Sequence, residues 1–512
     1  MCGIAGVWGE PDEALVRSML DALVHRGPDA AGVHTTPGGM LGHRRLSIVD
    51  VEGGNQPILD ETGDRAIAAN GEIYNFPLLR RRLAPHHTFR TRSDTETALH
   101  LYADLGGAMV RHLDGMFALA IADGPDLFLA RDPIGIKPLY LGWKSGQLVF
   151  ASELKALAGR VDEVSEFPPG SYYHSQLGLR TYYMVPQRPA RPLTVETAAR
   201  IVRLTLDRAV TKRLMADVPV GAFLSGGLDS SLVAALARPH VDRLHTFAVG
   251  LEGSPDLEAA RRVAAYLDTD HHEHVFTPQD VRAALPAILY HLESYDQDLV
   301  RSAVPCYFAA RLAAGHVKVI LTGEGADELF AGYAYHRAIA SPDALHAELA
   351  RSITALHNVN LQRVDRLTMA CSIEGRVPFL DVAMVEACQG LAPELKLRRQ
   401  NGRLVEKWIL RVAGQGLLPD DILWREKEQF DEGTGAAELL PELAGELMTA
   451  GCAARYTKLH RSARLRSREE CVYHDLLSRA FDDPRLVLKS VARWSDRPAG
   501  IRDAVAGRSP NP

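Results

Sequence analysis

Cysteine is scarce: six in 512 residues, at positions 2, 306, 371, 388, 452 and 471, with no CxxC pair. That excludes a disulfide scaffold and supplies neither a zinc ribbon nor a redox pair. No apolar run reaches the ~18 residues of a helical membrane span. Met1-Cys2-Gly3-Ile4-Ala5-Gly6 lacks the basic and long apolar stretches of a secretory signal, so a reducing cytoplasm is expected. A one-sided charge is also lacking: 58 basic against 64 acidic residues give −6. No nucleic-acid footprint follows from that balance, and Arg80-Arg81-Arg82 reads as a solvated helix face. No repeat of solenoid period occurs. What remains is an ordinary globular chain, long enough for roughly two to four domains.

The first ~185 residues are rich in short apolar runs broken by Gly, Pro and Asp: Gly3–Trp8, Arg65–Ala69, Phe117–Ala122, Leu127–Ala130 and Leu139–Gly142. Helical patterns at Glu13–Val24, Phe76–Leu83 and Thr95–Asp104 interrupt them. This predicts an α+β sandwich. Three prolines within Met184–Leu193 mark an extended linker. It divides the chain into residues 2–185, a linker at 186–194, a second domain at 195–505 and a disordered tail at 506–512. Beyond the linker the rhythm alternates. Helices are expected at Val195–Met215, Ser230–Ala237 and Asp256–Leu267, and strands at Val220–Leu224, His245–Gly250 and Val317–Leu321. Such alternation predicts an open parallel sheet wound with helices. From about residue 341 the pattern is nearly all helical.

Cys2 carries the first chemistry. Removal of the initiator Met would leave its thiol beside a free α-amine, whose pKa of ~7.7–8.0 suits a base. Asn70-Gly71 offers a side-chain amide and an unobstructed backbone N–H, two donors of the kind an oxyanion hole needs; in isolation the pair suits a hairpin turn better. Arg45 could clamp a carboxylate or sit on the surface. Asp94 could take an ammonium while Ser93-Asp94-Thr95-Glu96 opens a helix.

These segments come with Cys2–Gly6, His25-Arg-Gly-Pro-Asp29, Arg45–Asp50, Gln56-Pro57, Asn70–Asn75, Ser93–Glu96, Arg131-Asp132, Gly135–Tyr140 and Ala151–Lys155, in order. Together they resemble a class II glutamine amidotransferase domain. The resemblance implies an α+β N-terminal-nucleophile sandwich (αββα), with glutamine hydrolysed by Cys2 through a glutamyl thioester. It implies glutamine binding by Arg45, Ile48, Val49, Asn70, Gly71, Glu72 and Asp94, with catalysis by Cys2, Asn70 and Gly71.

In the second half, Phe223-Leu-Ser-Gly-Gly-Leu-Asp-Ser-Ser231 lies between a predicted strand and helix. Its glycines and the helix N-terminus suit phosphate, and no Walker lysine follows. An acid inside such a loop makes Asp229 a Mg²⁺ candidate. A second Gly-rich acidic turn, Thr322–Phe330, follows another strand. With Arg376–Asp381 and Trp424–Phe430, these loops are similar to the synthetase domain of glutamine-dependent asparagine synthetases. That resemblance implies an α/β parallel-sheet ATP-pyrophosphatase domain with a helical C-terminal part. It assigns ATP to Leu224, Ser225, Gly226, Gly227, Asp229, Ser230, Val249, Thr322, Gly323 and Lys427, and Mg²⁺ to Asp229 and Asp327. It assigns the acceptor to Arg301 and Glu324, with Glu324 also stabilising the intermediate. Ammonia passing through an internal tunnel and a homodimeric assembly are further readings it allows.

One stretch departs from the pattern. Where the family carries two threonines ahead of Arg301, this chain has Asp298 and Leu299. An extra acid beside a carboxylate pocket points to a different or cationic acceptor, such as a non-aspartate carboxylic acid of specialised metabolism; that is kept as the alternative, and the match over the rest of the chain reads the acceptor as aspartate. His271-His-Glu-His274 resembles a metal motif, but alternating side chains face opposite ways and the sequence offers no fourth ligand; no metal is expected there.

The mature protein should begin at Cys2, because no other base lies close in sequence to its thiol. Intact-mass measurement of an active preparation checks this; a retained Met1 would remove the mechanism.

Overall fold

The computed structural model describes residues 2–427 and 429–494. The expected 506–512 tail lies outside the described residues. Twelve strands build the first half. They are β1 (Gly3–Trp8), β2 (Ala30–Thr36), β3 (Gly39–Arg45), β4 (Ile58–Leu59), β5 (Arg65–Ile73), β6 (Gly115–Asp123), β7 (Asp126–Arg131), β8 (Tyr140–Lys144), β9 (Gln147–Ala151), β10 (Glu163–Glu166), β11 (Ser171–His174) and β12 (Gly178–Thr181). They form two six-stranded sheets, ordered β10-β8-β9-β1-β3-β2 and β12-β11-β7-β6-β5-β4. Strict alternation makes this possible: Ala66, Ala68, Ala118, Ala120 and Ala122 meet Ile4, Leu41, Leu127 and Leu129 in the layer between the sheets. Ile67, Phe117, Leu119 and Ile121 point outward and are covered by helices α2 (Phe76–Leu83) and α3 (Asp94–Leu105). The helix α1 (Glu13–Ala22) covers the other sheet with Leu15, Val16, Met19 and Leu20.

Residues 182–194 carry no regular structure. The chain then enters α4 (Val195–Lys212), capped by Thr194. Five strands follow in an all-parallel sheet: β13 (Val220–Phe223), β14 (His245–Gly250), β15 (Asp270–Val275), β16 (Val319–Leu321) and β17 (Glu374–Arg376). Their order is β15-β14-β13-β16-β17, so the winding reverses between β13 and β16. Loops leaving the carboxyl ends of those two strands open a crevice there. Helices α5 (Leu228–Ala237), α6 (Pro255–Leu267) and α8 (Gln297–Ala313) pack on the sheet, and α7 (Pro278–Leu292) packs on α8. The region after about residue 341 was expected to be nearly all helical, and most of it is. Glu374–Arg376 instead forms the fifth strand, too short to show a pattern in sequence, and Arg398–Gln400 pairs with Arg403–Val405 as a small hairpin.

The halves meet across buried charge. Arg26 donates to Asp365 (2.7 and 3.1 Å) and to Glu153 (2.5 Å). Arg366 faces Glu153 (3.4 Å) and Glu293 (3.1 Å), and Lys155 also reaches Glu293 (3.0 Å). All of these side chains are almost wholly buried. Removing one partner strands the others without water. Asp365→Ala should therefore cost about 3–5 kcal/mol of stability, read from urea denaturation. A loss below about 1 kcal/mol would put the cluster on a par with exposed pairs.

Candidate functional site

The first site is built at the rim of the sandwich. Cys2 is 8% exposed, and its backbone N donates to Asn70 Oδ1 at 3.0 Å. Its carbonyl accepts Arg26 Nε at 2.9 Å, and its Sγ lies 3.9 Å from the Leu46 carbonyl. Burial pushes the thiol's pKa up from its ordinary value, so the thiol needs a base at hand. Asn70 and Gly71 lie within β5, opposite Ala118 and Phe117 of β6, and form no hairpin turn. Asn70 Nδ2 is buried with no partner among the described residues. Along β5 the N–H groups of 69, 71 and 73 face the same edge. Ala69 N is held by Gln56 Oε1 and Ile73 N by Asp94 Oδ2, both at 2.7 Å. The Gly71 N–H sits in the slot between them. Only glycine suits it: φ is +147°, and a Cβ would meet the Met116 carbonyl at 1.9 Å.

An acidic group adjoins this slot. Asp94 is buried, and burial raises its pKa to about 6. Glu72 is pushed well above the carboxylate range, first by burial and then by Glu374 and Asp94, and its Oε2 has no partner among the described residues. Such a set suits a cationic ligand group. The Arg45 guanidinium holds the carbonyls of Val49, Asp50 and Val51 and the Asn55 amide oxygen, at 2.6 to 3.3 Å. It thereby shapes the loop carrying Ile48 and Val49; an incoming carboxylate would exchange with one of these acceptors.

The second site is a cavity of about 480 Å³ at the sheet's reversal point. Leu224, Ser225, Gly227, Asp229, Ser230, Val249, Thr322, Gly323, Glu324, Asp327, Arg301 and Lys427 all line it. Of the residues expected there, Gly226 alone lies outside the wall. Its φ of +70° turns the loop onto α6, where a Cβ would strike the Ala259 backbone at 2.5 Å. Lys407, which the sequence did not single out, binds Asp229 Oδ2 (2.5 Å) and Asp327 Oδ1 (2.6 Å) together. Lys427 adds 3.1 Å to Asp327 Oδ2. Burial alone would raise the pKa of Asp327, but these lysines outweigh it and hold it below the carboxylate range. Asp229 Oδ1 has no partner among the described residues. Two hard carboxylates within reach of one cation, one with an orphan oxygen, fit a divalent metal shared with phosphate.

At the cavity's far end, Arg301 forms a fork with Glu469 (2.5 and 3.0 Å). Glu324 pairs with Arg363 at 2.5 Å. Asp298 lines the cavity but meets Arg466 at 3.4 Å, and Leu299 is buried in the core instead. Arg363, Arg466, Glu469 and Trp494 were missed by the sequence reading. They come from distant segments with no motif of their own, whereas Arg26 and Arg376 at least lie inside recognised strings.

The two sites are linked through β17, where the Arg376 carbonyl accepts the N–H of Thr322, a residue of the cavity wall, at 2.9 Å. Arg376 of β17 holds Glu374 (2.6 Å) and approaches Glu72 of the first site (3.6 Å). A buried N-terminal-region cysteine with amide donors, wired to a phosphate-loop crevice, defines a two-site ATP-dependent amidotransferase. A glutamine amidotransferase domain model matches residues 1–180, and an asparagine synthase model matches residues 201–343 and 337–497. The chain is 43% identical over 466 residues to asparagine synthetase [glutamine-hydrolyzing] 3 of Arabidopsis thaliana, covering 85% of this chain and 79% of that protein. It is 40% identical over 474 residues to a probable asparagine synthetase [glutamine-hydrolyzing] of Dictyostelium discoideum, covering 85% of each. A solved glutamine PRPP amidotransferase of B. subtilis aligns with 47% of this chain and 64% of its own, at 22% identity and a TM-score of 0.31. The chain belongs to the asparagine synthase family.

Asp94 must be ionised to pair with an ammonium. With a pKa of about 6, it is protonated progressively below that pH. The glutamine KM should then rise by up to about tenfold per unit below pH 6, and Asp94→Asn should raise it at every pH and flatten the profile. A wild-type KM unchanged from about pH 7 to 5 would move the ammonium elsewhere.

Proposed function

We propose that this chain makes asparagine from aspartate, glutamine and ATP through two coupled sites. In the glutaminase half, residues 2–185, the Cys2 α-amine takes the thiol proton. Sγ then attacks the glutamine side-chain carbonyl, with Asn70 Nδ2 and the Gly71 N–H holding the oxyanion. Ammonia leaves, and water hydrolyses the thioester to glutamate. Asp94 and Glu72 take the glutamine ammonium, while Arg45, Ile48 and Val49 shape the pocket for the rest.

In the synthetase half, from residue 195 on, Leu224 and Val249 hold adenine. Ser225, Gly227, Ser230, Thr322 and Gly323 hold the phosphates, with Lys427 and Lys407 as neutralising cations. Asp229 and Asp327 are the oxygen pair we assign to Mg²⁺, which when bound would screen phosphate charge. The aspartate β-carboxylate attacks the α-phosphorus and pyrophosphate departs. Ammonia then attacks the β-aspartyl carbonyl, beside Glu324, and AMP leaves. Arg301 orients the acceptor once its fork with Glu469 opens to a substrate carboxylate. Leu46, Ile48, Tyr74 and Met116 of the first half share one apolar core with Val377 and Leu380 of the second; such apolar packing suits neutral ammonia and not ammonium.

The observation that carries the reading is the joint placement of Cys2 with Asn70 and of both acidic loops at the β13–β16 reversal, within one family match. Aspartate is favoured over a non-aspartate acceptor because Arg466 offsets the charge of Asp298 and Leu299 leaves the cavity altogether. No described helix is long and apolar enough to cross a membrane; the free cysteines fit our placement of the enzyme in the cytoplasm. Cys2→Ala should abolish glutamine-dependent asparagine formation and retain the ammonia-dependent reaction with aspartate. Product analysis checks both. Equal loss of the two activities in a folded variant would overturn the two-site scheme, and no asparagine from the wild type would overturn the acceptor.

A further inference from the structure

The histidine-rich strand β15 leaves a feature that amide synthesis does not use. His271 and His272 face opposite sides of the strand. His271 Nδ1 bonds Thr246 Oγ1 at 2.9 Å, and its other nitrogen lies 3.2 Å from Glu273. His272 turns to the opposite face, where the parallel register sets His245, the first residue of β14, beside Asp270, the first of β15. The turn before β16 brings His316 onto the same spot, its ring centroid 3.9 Å from that of His272. The ligands that the motif lacks in sequence are thus supplied from other segments.

Three atoms converge. His245 Nδ1 lies 3.0 Å from His272 Nε2 and 3.1 Å from Asp270 Oδ2, and His272 Nε2 lies 3.6 Å from Asp270 Oδ2. A tetrahedral ion with bonds of about 2.0–2.1 Å sets its ligand atoms roughly 3.3–3.4 Å apart, a spacing these separations bracket. A ligand nitrogen of His316 lies within 4.8 Å of those of His245 and His272. A single N–H···N bond would satisfy the two imidazoles but leave the Asp270 oxygen facing an acceptor nitrogen. Arg243 also reaches Asp270, yet it is largely exposed and can swing into solvent.

We propose that His245, His272, Asp270 and His316 form a tetrahedral site for zinc or a similar late first-row divalent cation. Imidazole with one carboxylate is a donor set of that preference. The site lies at the amino-terminal rim of the parallel sheet, opposite the nucleotide loops. Its role is structural: it fastens the edge strand β15 to β14 and to the turn entering β16. Glu61, His87 and His100 form the other such group among the described residues, and it needs no metal. There both His87 nitrogens already face carboxylates, Glu61 at 2.7 Å and Asp104 at 3.0 Å, and His87 is held above its usual pKa even though burial opposes it.

The test uses the full chain without a polyhistidine tag, stripped by chelator and titrated with Zn²⁺, then with Co²⁺ as a spectroscopic probe. One zinc equivalent, an intense tetrahedral Co²⁺ spectrum and a zinc-dependent rise in thermal midpoint are expected. His272→Gln and His245→Ala should each weaken zinc binding at least about 100-fold and abolish the thermal response. His87→Ala should keep both. Asparagine formation by every variant reports that it is folded. A wild type that binds no zinc, an octahedral Co²⁺ spectrum, or a full zinc equivalent retained by folded His272→Gln would overturn the assignment.

Discussion

The guanidinium of Arg26 is the joint on which the two halves depend. One nitrogen holds the carbonyl of Cys2, and the others reach Glu153 in its own half and Asp365 in the synthetase half. The nucleophile's backbone and a helix of the other domain are thus fixed to one rigid planar group. In a dry interface the arrangement holds only if every charge is answered, which is why Arg366, Lys155 and Glu293 gather around it. Lysine could not replace Arg26, since its ammonium lacks the planar fork that addresses three acceptors in fixed directions.

Both sites hold charge in waiting. In the glutaminase pocket, Glu72 and Asp94 are crowded and pushed toward neutrality until a cationic group arrives. In the nucleotide cavity the order is reversed: Lys407 already bridges the carboxylates of Asp229 and Asp327. Glu324 with Arg363 and Arg301 with Glu469 follow the same logic at the acceptor end. Each substrate charge would replace an internal partner already in place, so no ion is left bare in the low-dielectric interior.

Much of this was legible before any coordinates. Short apolar runs and turn residues located β1, β5, β6, β7 and β8 of the sandwich, and Gly-rich strings after apolar runs located the two loops of the cavity, because these signals are local. Cys2, Asn70, Asp94, Asp229 and Asp327 stood out the same way as candidates, because the chemistry proposed for them needs a particular residue type at a particular place in a short string. The Asn70-Gly71 pair marks the limit. The same two residues suit a tight turn or a strand edge, and only the pairing of β5 with β6 decides for the strand.

The sequence by itself determined the family and the two fold classes, and it proposed the residues that carry the chemistry, because helix and strand periodicities and loop glycines act over a few positions. Tertiary structure alone decided what those residues face. It placed Gly226 against α6 and Leu299 in the core, set Lys407 between Asp229 and Asp327, and offset Asp298 with Arg466 from a segment 168 residues away. It also gathered His245, Asp270, His272 and His316 around one point. The reason is physical: charge pairing and ligand convergence depend on distances of a few ångströms between segments far apart in the chain, and no local pattern encodes such distances.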